Sequence, residues 1–282
     1  MQRRFKLHAE RNPQTRLLRM IGIIIAAAGL ALLPILIQGQ SSVLSSTTEI
    51  TYYLDWTQDR ISPNEDGQGW SVINDLGYQV SVERGYLVTG SVQLVPCPQP
   101  DQGGAASWLI ERLLPPPAYA GHGGERDESK SSLPTVESLT EPTPVNLETV
   151  SVPRTALYCQ AHYLLAYGVD VAKNLPSEPD MIGTSLLVEG LVRASETGPA
   201  RPFSIKTELV WGTITDLRPA AGPADHLRLT TGRDPVTVTL RRDLGALFDG
   251  VDFDHMTEIE QAKAVLRSVT NQTQVFVEQG NK

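Results

Sequence analysis

Apolar and polar residues alternate with a period of two along most of this chain, as in strands that bury one face. Glu49 to Trp56 (EITYYLDW) is rich in aromatic and β-branched residues and predicts a first strand. Trp70–Ile73 predicts a second, followed by the turn signal Asn74-Asp75-Leu76-Gly77. Tyr78–Glu83 and Tyr86–Val95 repeat the alternation and predict a hairpin of two half-buried strands. Further strands are predicted over Ala156–Leu165, Ser185–Val192, Phe203–Trp211, His226–Leu229 and Val236–Leu240, with Gly232-Arg233-Asp234-Pro235 as a hairpin loop between the last two. Thr257 to Val269 switches to a helical pattern, with Thr257 as N-cap and Glu258 and Glu260 in the first turn. Thr273–Glu278 predicts a short closing strand. The pattern predicts a mainly β fold: an antiparallel β-sandwich with one short C-terminal helix, preceded by a transmembrane helix.

Two stretches break the alternation. Met20 to Ile37 (MIGIIIAAAGLALLPILI) is an uncharged run of 18 residues. At 1.5 Å per residue it reaches ~27 Å, enough to cross a thin hydrocarbon core. Before it lie Arg3, Arg4, Lys6, Arg11, Arg16 and Arg19 against the single acid Glu10, so this flank belongs in the cytoplasm. A cleaved signal peptide and an uncleaved anchor both fit. The length of the run and the poor cleavage site Ile37-Gln38-Gly39 favour an anchor. The second break runs from Pro96 to Pro153 and holds 10 of the chain's 20 prolines. Such composition buries too little surface to offset its ordering entropy. Within it, Ala105–Leu114 (AASWLIERLL) could form one amphipathic helix. The chain therefore divides into a basic cytoplasmic arm (1–19), a transmembrane signal anchor (20–37), a β-sandwich domain (41–97 and 154–282) and a mostly disordered insertion (98–153).

Composition supports a folded core, with 40% apolar residues in 282. The formal net charge of −8 argues against a nucleic-acid partner. Cys97 and Cys159 are the only cysteines. Outside the cytoplasm they would pair and close a loop of about 60 residues, worth ~4 kcal/mol in the chain-entropy model. Two metal ligands are the alternative, though no CxxC-type spacing accompanies them.

Candidate chemistry is sparse. The chain has no GxSxG, GxxxxGK[ST], HExxH or GxGxxG motif, which argues against an enzyme. Five histidines are present. His122, between glycines, is a flexible metal ligand or a solvated loop residue. His162 follows Cys159 by three positions and is a ligand or a half-buried, hydrogen-bonded side chain. His255 and Met256, in Asp252-Phe253-Asp254-His255-Met256, suit copper or form a solvated helix-entry loop. A metal site would take His162 and His122 first, with His255, Met256 or His226 as the third ligand. The cofactor is otherwise unknown, with copper and zinc the metals that fit these donors.

Several segments resemble an uncharacterised family of exported bacterial β-proteins. They are Asn74–Val80 (NDLGYQV), Gly85–Val88, Val92–Cys97 (VQLVPC) and Tyr158–Tyr163 (YCQAHY). Leu247–Phe253 (LFDGVDF), followed by a helix, is similar to the methanobactin-associated periplasmic copper-binding proteins. The resemblance covers roughly residues 70–97 and 155–280. It implies a secreted β-sandwich that binds copper through histidine, beside a tryptophan that is oxidised near the metal. Trp56, Trp70, Trp108 and Trp211 are the tryptophans available.

The expected function is a membrane-anchored extracytoplasmic β-domain, acting as an interaction or structural module of the cell envelope. Its partners would be the inner membrane, through residues 20–37, and envelope proteins. The alternative is a periplasmic copper- or zinc-binding protein. An interaction module requires an exposed apolar patch, whereas a metal protein requires histidines brought together.

Overall fold

The computed structural model describes residues 47–65, 67–97, 128–195, 198–220, 228–232 and 234–280. Thirteen strands and one α-helix occur among them. The strands are β1 (Thr47–Thr57), β2 (Ser62–Pro63), β3 (Trp70–Ile73), β4 (Gln79–Pro96), β5 (Thr135–Ser138), β6 (Val145–Pro153) and β7 (Leu157–Leu165). They continue with β8 (Leu186–Arg193), β9 (Arg201–Thr207), β10 (Trp211–Pro219), β11 (Leu229–Thr230), β12 (Val236–Asp243) and β13 (Gln274–Gln279). The helix α1 (Glu258–Gln272) lies between β12 and β13.

The fold is mainly β, and its strands join one open sheet in the order β2-β3-β4-β7-β10-β13-β12-β1-β6. β8 and β5 add to β4, β9 adds to β8, and β11 adds to β7. Two pairings are parallel, β1 with β12 and β10 with β13. This corrects the expectation of an antiparallel sandwich. A parallel pair joins strands from separate parts of the chain, and alternation along one strand carries no mark of its neighbour's direction. The sheet curls so that side chains of β1 and β12 meet side chains of β5 and β7 inside it.

Local pattern explains most of the elements. In β1, Ile50, Tyr52, Leu54 and Trp56 are buried at every second position. In β12, Val236, Val238, Leu240 and Arg242 follow the same period. α1 starts where the sequence places it. The Glu260 carboxylate accepts from the Thr257 backbone N–H (2.8 Å) and hydroxyl (2.8 Å), which closes the first turn. Beneath α1, Phe248 packs against Trp70, Phe203 and Phe253 with ring centroids 5.8–6.2 Å apart.

Four further sequence expectations need correction. The predicted hairpin over residues 78–95 is one strand, β4. Register irregularities at Arg84 and Ser91 shift its phase, and the first breaks the alternation at residues 83–85 although the strand continues. Gly190 of β8 sits where a Cβ would lie 1.9 Å from the Ser81 carbonyl oxygen, so only glycine allows this close crossing. The predicted strand 203–211 is two strands, since β9 pairs with β8 whereas β10 pairs with β7 and β13. β11 and β12 form no hairpin: β11 joins β7, and β12 joins β1 and β13.

The fourth correction concerns the insertion. Residues 128–153 are ordered and carry β5 and β6. β6 pairs with β1 from Thr47↔Pro153 to Leu54↔Val145. Ser131 exchanges hydrogen bonds with Val92, and the Tyr52 hydroxyl donates to the Ser129 carbonyl at 2.6 Å. Partner strands from elsewhere in the chain thus offset the ordering entropy that local composition could not. Residues 98–127, with Ala105–Leu114 and His122, lie outside the described residues. So do residues 1–46, with the predicted anchor. Among the described residues no helix is long and apolar enough to cross a membrane.

Candidate functional site

Cys97 and Cys159 form a disulfide, with their Cα atoms 4.9 Å apart, which removes both as metal ligands. It joins the end of β4 to the start of β7, where the Cys97 N–H donates to the Leu157 carbonyl at 3.0 Å.

The inner face of the sheet holds an ion pair. The Arg242 guanidinium is 0% exposed and the Glu137 carboxylate 2%. Both guanidinium ends donate to the carboxylate, Nη1 to Oε1 at 2.9 Å and Nη2 to Oε2. Thr89 Oγ1 donates to Oε1 at 2.7 Å, and the Trp56 indole Nε1 donates to Oε2 at 3.1 Å. Arg242 Nη1 also donates to the Tyr163 hydroxyl at 3.0 Å, and its guanidinium carbon lies 4.1 Å from the centre of a Trp56 ring. Burial by itself lowers the Arg242 pKa, but the adjoining Glu137 carboxylate more than reverses this and raises it. Burial pushes the Tyr163 phenol up, with Arg242 opposing. Desolvating such a pair costs several kcal/mol per ion, and well-packed apolar residues would often serve stability as well. The pair holds the Trp56 indole in one orientation, with its Nε1 bonded and one face covered.

A cavity of about 260 Å³ lies against this cluster. Trp56, Glu137 and Val136 form its buried floor, and Tyr86 and Val145 its half-buried walls. Glu141, Thr143 and Asn174 stand exposed at its mouth.

A wider groove of about 500 Å³ runs along α1, and His255 and Met256 line it. Its walls are of mixed charge, with Asp75, Asp249 and Glu260 beside Lys263 and Arg267. His255 is 82% exposed, and its Nδ1 lies 2.8 Å from Asp252 Oδ2. Hydrogen bonds from Tyr78 and His255 bring the Asp252 pKa down to about 2, and Asp252 in turn raises that of His255. The Tyr78 hydroxyl donates toward Asp252 Oδ1 (2.8 Å) and Asp254 Oδ2 (2.9 Å). Burial and these two carboxylates push its pKa up to about 12.

Among the described residues the predicted metal ligands His162, His255 and Met256 do not form one donor cluster. His162 lies mid-strand in β7, paired across to Gln93 and Ile214. Burial and the charge of Lys130 lower its pKa, which keeps it neutral near pH 7. His255 and Met256 sit in the turn before α1, where Asp252 already engages the imidazole. His122 and His226 lie outside the described residues. Among the described residues no group of three or more His, Cys, Asp or Glu could hold a metal ion. Among the described residues, therefore, no donor set fits the copper site that the resemblance implies. The described tryptophans have other partners: Trp56 is clamped by Arg242, the Trp70 indole donates to the Leu139 carbonyl, and Trp211 lies beside Arg267. Trp108 lies outside the described residues.

The Arg242–Glu137–Trp56 cluster was missed in the sequence. One signal was available: Arg242 continues the inward phase of Val236, Val238 and Leu240, so the strand's own period points a cation into the core. No signal marked Glu137 as its partner, 105 residues away.

A last surface feature is the connection from β7 to β8, residues 166–185. Met181 and Leu187 pack with Val88 and Val136 in a small second core beneath it. Backbone hydrogen bonds Gly168 N–H to Thr184 O (3.0 Å), Gly183 N–H to Gly168 O (2.9 Å) and Lys173 N–H to Pro134 O (2.9 Å) hold it in place. It nevertheless exposes Tyr167, Val171 and Ile182 by 48%, 62% and 52%. No protein-family model, curated protein or solved structure matches this chain.

Proposed function

We propose that this protein is a membrane-anchored extracytoplasmic β-domain that serves as an interaction or structural module of the cell envelope. Residues 20–37 hold it in the inner membrane, residues 1–19 remain in the cytoplasm, and the β-domain lies on the far side. The observation that carries this reading is the β7–β8 connection. A long loop that is pinned by backbone hydrogen bonds and underlain by its own core, yet exposes three large apolar side chains, is built to present them. The disulfide supports the compartment, because thiols in the cytoplasm are kept reduced.

The test is made on the full chain in cells. A photo-crosslinking residue at Val171 should join the protein to an envelope component, and Tyr167→Asp should abolish that product. Thiol alkylation of intact cells before and after reduction should label Cys97 and Cys159 only after reduction. Free thiols in a soluble cytoplasmic fraction would overturn the compartment. Absence of a Val171 crosslink, or one indifferent to Tyr167→Asp, would overturn the docking role.

A further inference from the structure

We propose that the cavity against Trp56 binds one pyranose ring of an envelope glycan, and that the ring carries no negative charge. This deepens the envelope-module reading and rests on it for the source of the glycan. Three observations combine.

The first is shape and surface. Trp56 at the floor and Tyr86 at the wall give two aromatic surfaces to one cavity. A pyranose has flat faces of C–H groups that lie well on aromatic rings, and a ring held in advance loses little freedom when it is covered. Trp56 is so held, by Glu137 at its Nε1 and by Arg242 across its face.

The second is hydrogen-bonding capacity. A sugar ring offers hydroxyls that both donate and accept. The side-chain groups of Tyr86, Glu141, Thr143 and Asn174 at the wall and mouth make no hydrogen bond or ion pair within the described residues. A hydroxyl, a carboxylate, a second hydroxyl and an amide are thus free to bond a polyol. Asn174 is held in a left-handed conformation (φ 55°), and its neighbour Lys173 is pinned by backbone hydrogen bonds to Pro134 and Val136. The amide is therefore presented from a fixed place.

The third is charge and size. Among the described residues no lysine or arginine lines the cavity, whereas Glu137 and Glu141 do. Lys173 Nζ is turned to the Leu147 carbonyl. Arg242 already neutralises Glu137, so an anionic sugar would meet the Glu141 carboxylate with no lining cation to offset it. At about 30 Å³ per water, the cavity volume of about 260 Å³ equals roughly nine waters, the scale of one monosaccharide unit. The open mouth lets that unit belong to a longer chain.

The test uses the full chain, purified in a detergent without a sugar headgroup. Binding of the N-acetylglucosamine tetramer, the β-linked glucose tetramer and the galacturonate tetramer is measured by calorimetry and by ligand-observed NMR. At least one uncharged tetramer should bind saturably, and the galacturonate tetramer should bind at least tenfold more weakly. The preferred uncharged tetramer identifies the glycan source. Tyr86→Ala should weaken binding at least tenfold and Tyr86→Phe by about threefold or less. Asn174→Gly keeps the backbone conformation and should weaken binding about fivefold with an unchanged circular dichroism spectrum. No saturable binding of either uncharged tetramer up to about 10 mM would overturn the proposal. So would equal binding of the galacturonate tetramer, or affinities that ignore both Tyr86→Ala and Asn174→Gly. Any of these results in a protein that still crosslinks at Val171 removes the sugar site and leaves the envelope module standing.

Discussion

Replacing Arg242 by methionine tests the central polar cluster. The guanidinium is 0% exposed and supplies two of the four donors to the Glu137 carboxylate, the others being Thr89 and Trp56. It also donates to the Tyr163 hydroxyl. Methionine fills much of the volume but leaves a carboxylate buried with no opposite charge. Breaking a buried pair from one side costs about 3–5 kcal/mol. For a folded unit of this size, each kcal/mol is worth roughly 2–4 °C, so the melting temperature should fall by roughly 6–20 °C. Glu137→Leu with Arg242 intact should fall comparably, because it strands the cation. The double variant Glu137→Leu/Arg242→Met removes both charges and should recover part of the loss. The interaction energy in the double-mutant cycle should be about 2–3 kcal/mol. Thermal unfolding followed by circular dichroism, at fixed pH and without reductant, reads all four proteins. If Arg242→Met melted within about 2 °C of the wild type, or the two changes were simply additive, the cluster would not be the coupled buried pair its geometry describes.

Three other perturbations follow from the structure. Replacing Cys97 and Cys159 together by alanine releases a closure of 62 residues and should cost ~4 kcal/mol, read as a lower urea midpoint, with reductant producing a similar loss in the wild type. Asp252→Asn should return the His255 pKa toward 6.5, followed by its imidazole NMR shifts. In the wild type, the stabilisation from raised His255 is complete below about pH 6.5 and fades as pH rises through its folded pKa. That from Asp252 is complete above about 3.8 and fades as pH falls toward about 2, so the pair contributes fully only between these limits. Gly190→Ala sets a methyl group against the Ser81 carbonyl and should cost about 1–3 kcal/mol by forcing β8 away from β4, seen as a lower melting temperature and faster amide exchange at Val82.

Features that depend on neighbours a few positions away were legible along the chain. The period of two in β1 and β12 is such a property, because side chains of a strand alternate sides whatever strand lies beside it. So is the start of α1, where Thr257 and Glu260 are three residues apart and close the turn themselves. The pairing of Cys97 with Cys159 was legible because only two cysteines exist. The remainder came from long-range packing. Whether residues 135–153 could order depended on β1 and β4 offering them edges, and the composition of that stretch carries no record of those edges. The parallel pairing of β1 with β12 joins segments about 190 residues apart, whose contact appears only when the sheet curls. His162 and His255 looked alike as candidate ligands, yet one lies mid-strand in the sheet and the other in a turn already engaged by Asp252. The cavity at Trp56 draws Tyr86, Glu141 and Asn174 from separate parts of the chain. Short-range alternation and capping are set by covalent distance along the chain. Strand partners, buried ion pairs and cavities are set by which distant surfaces the folded chain brings within a few ångströms.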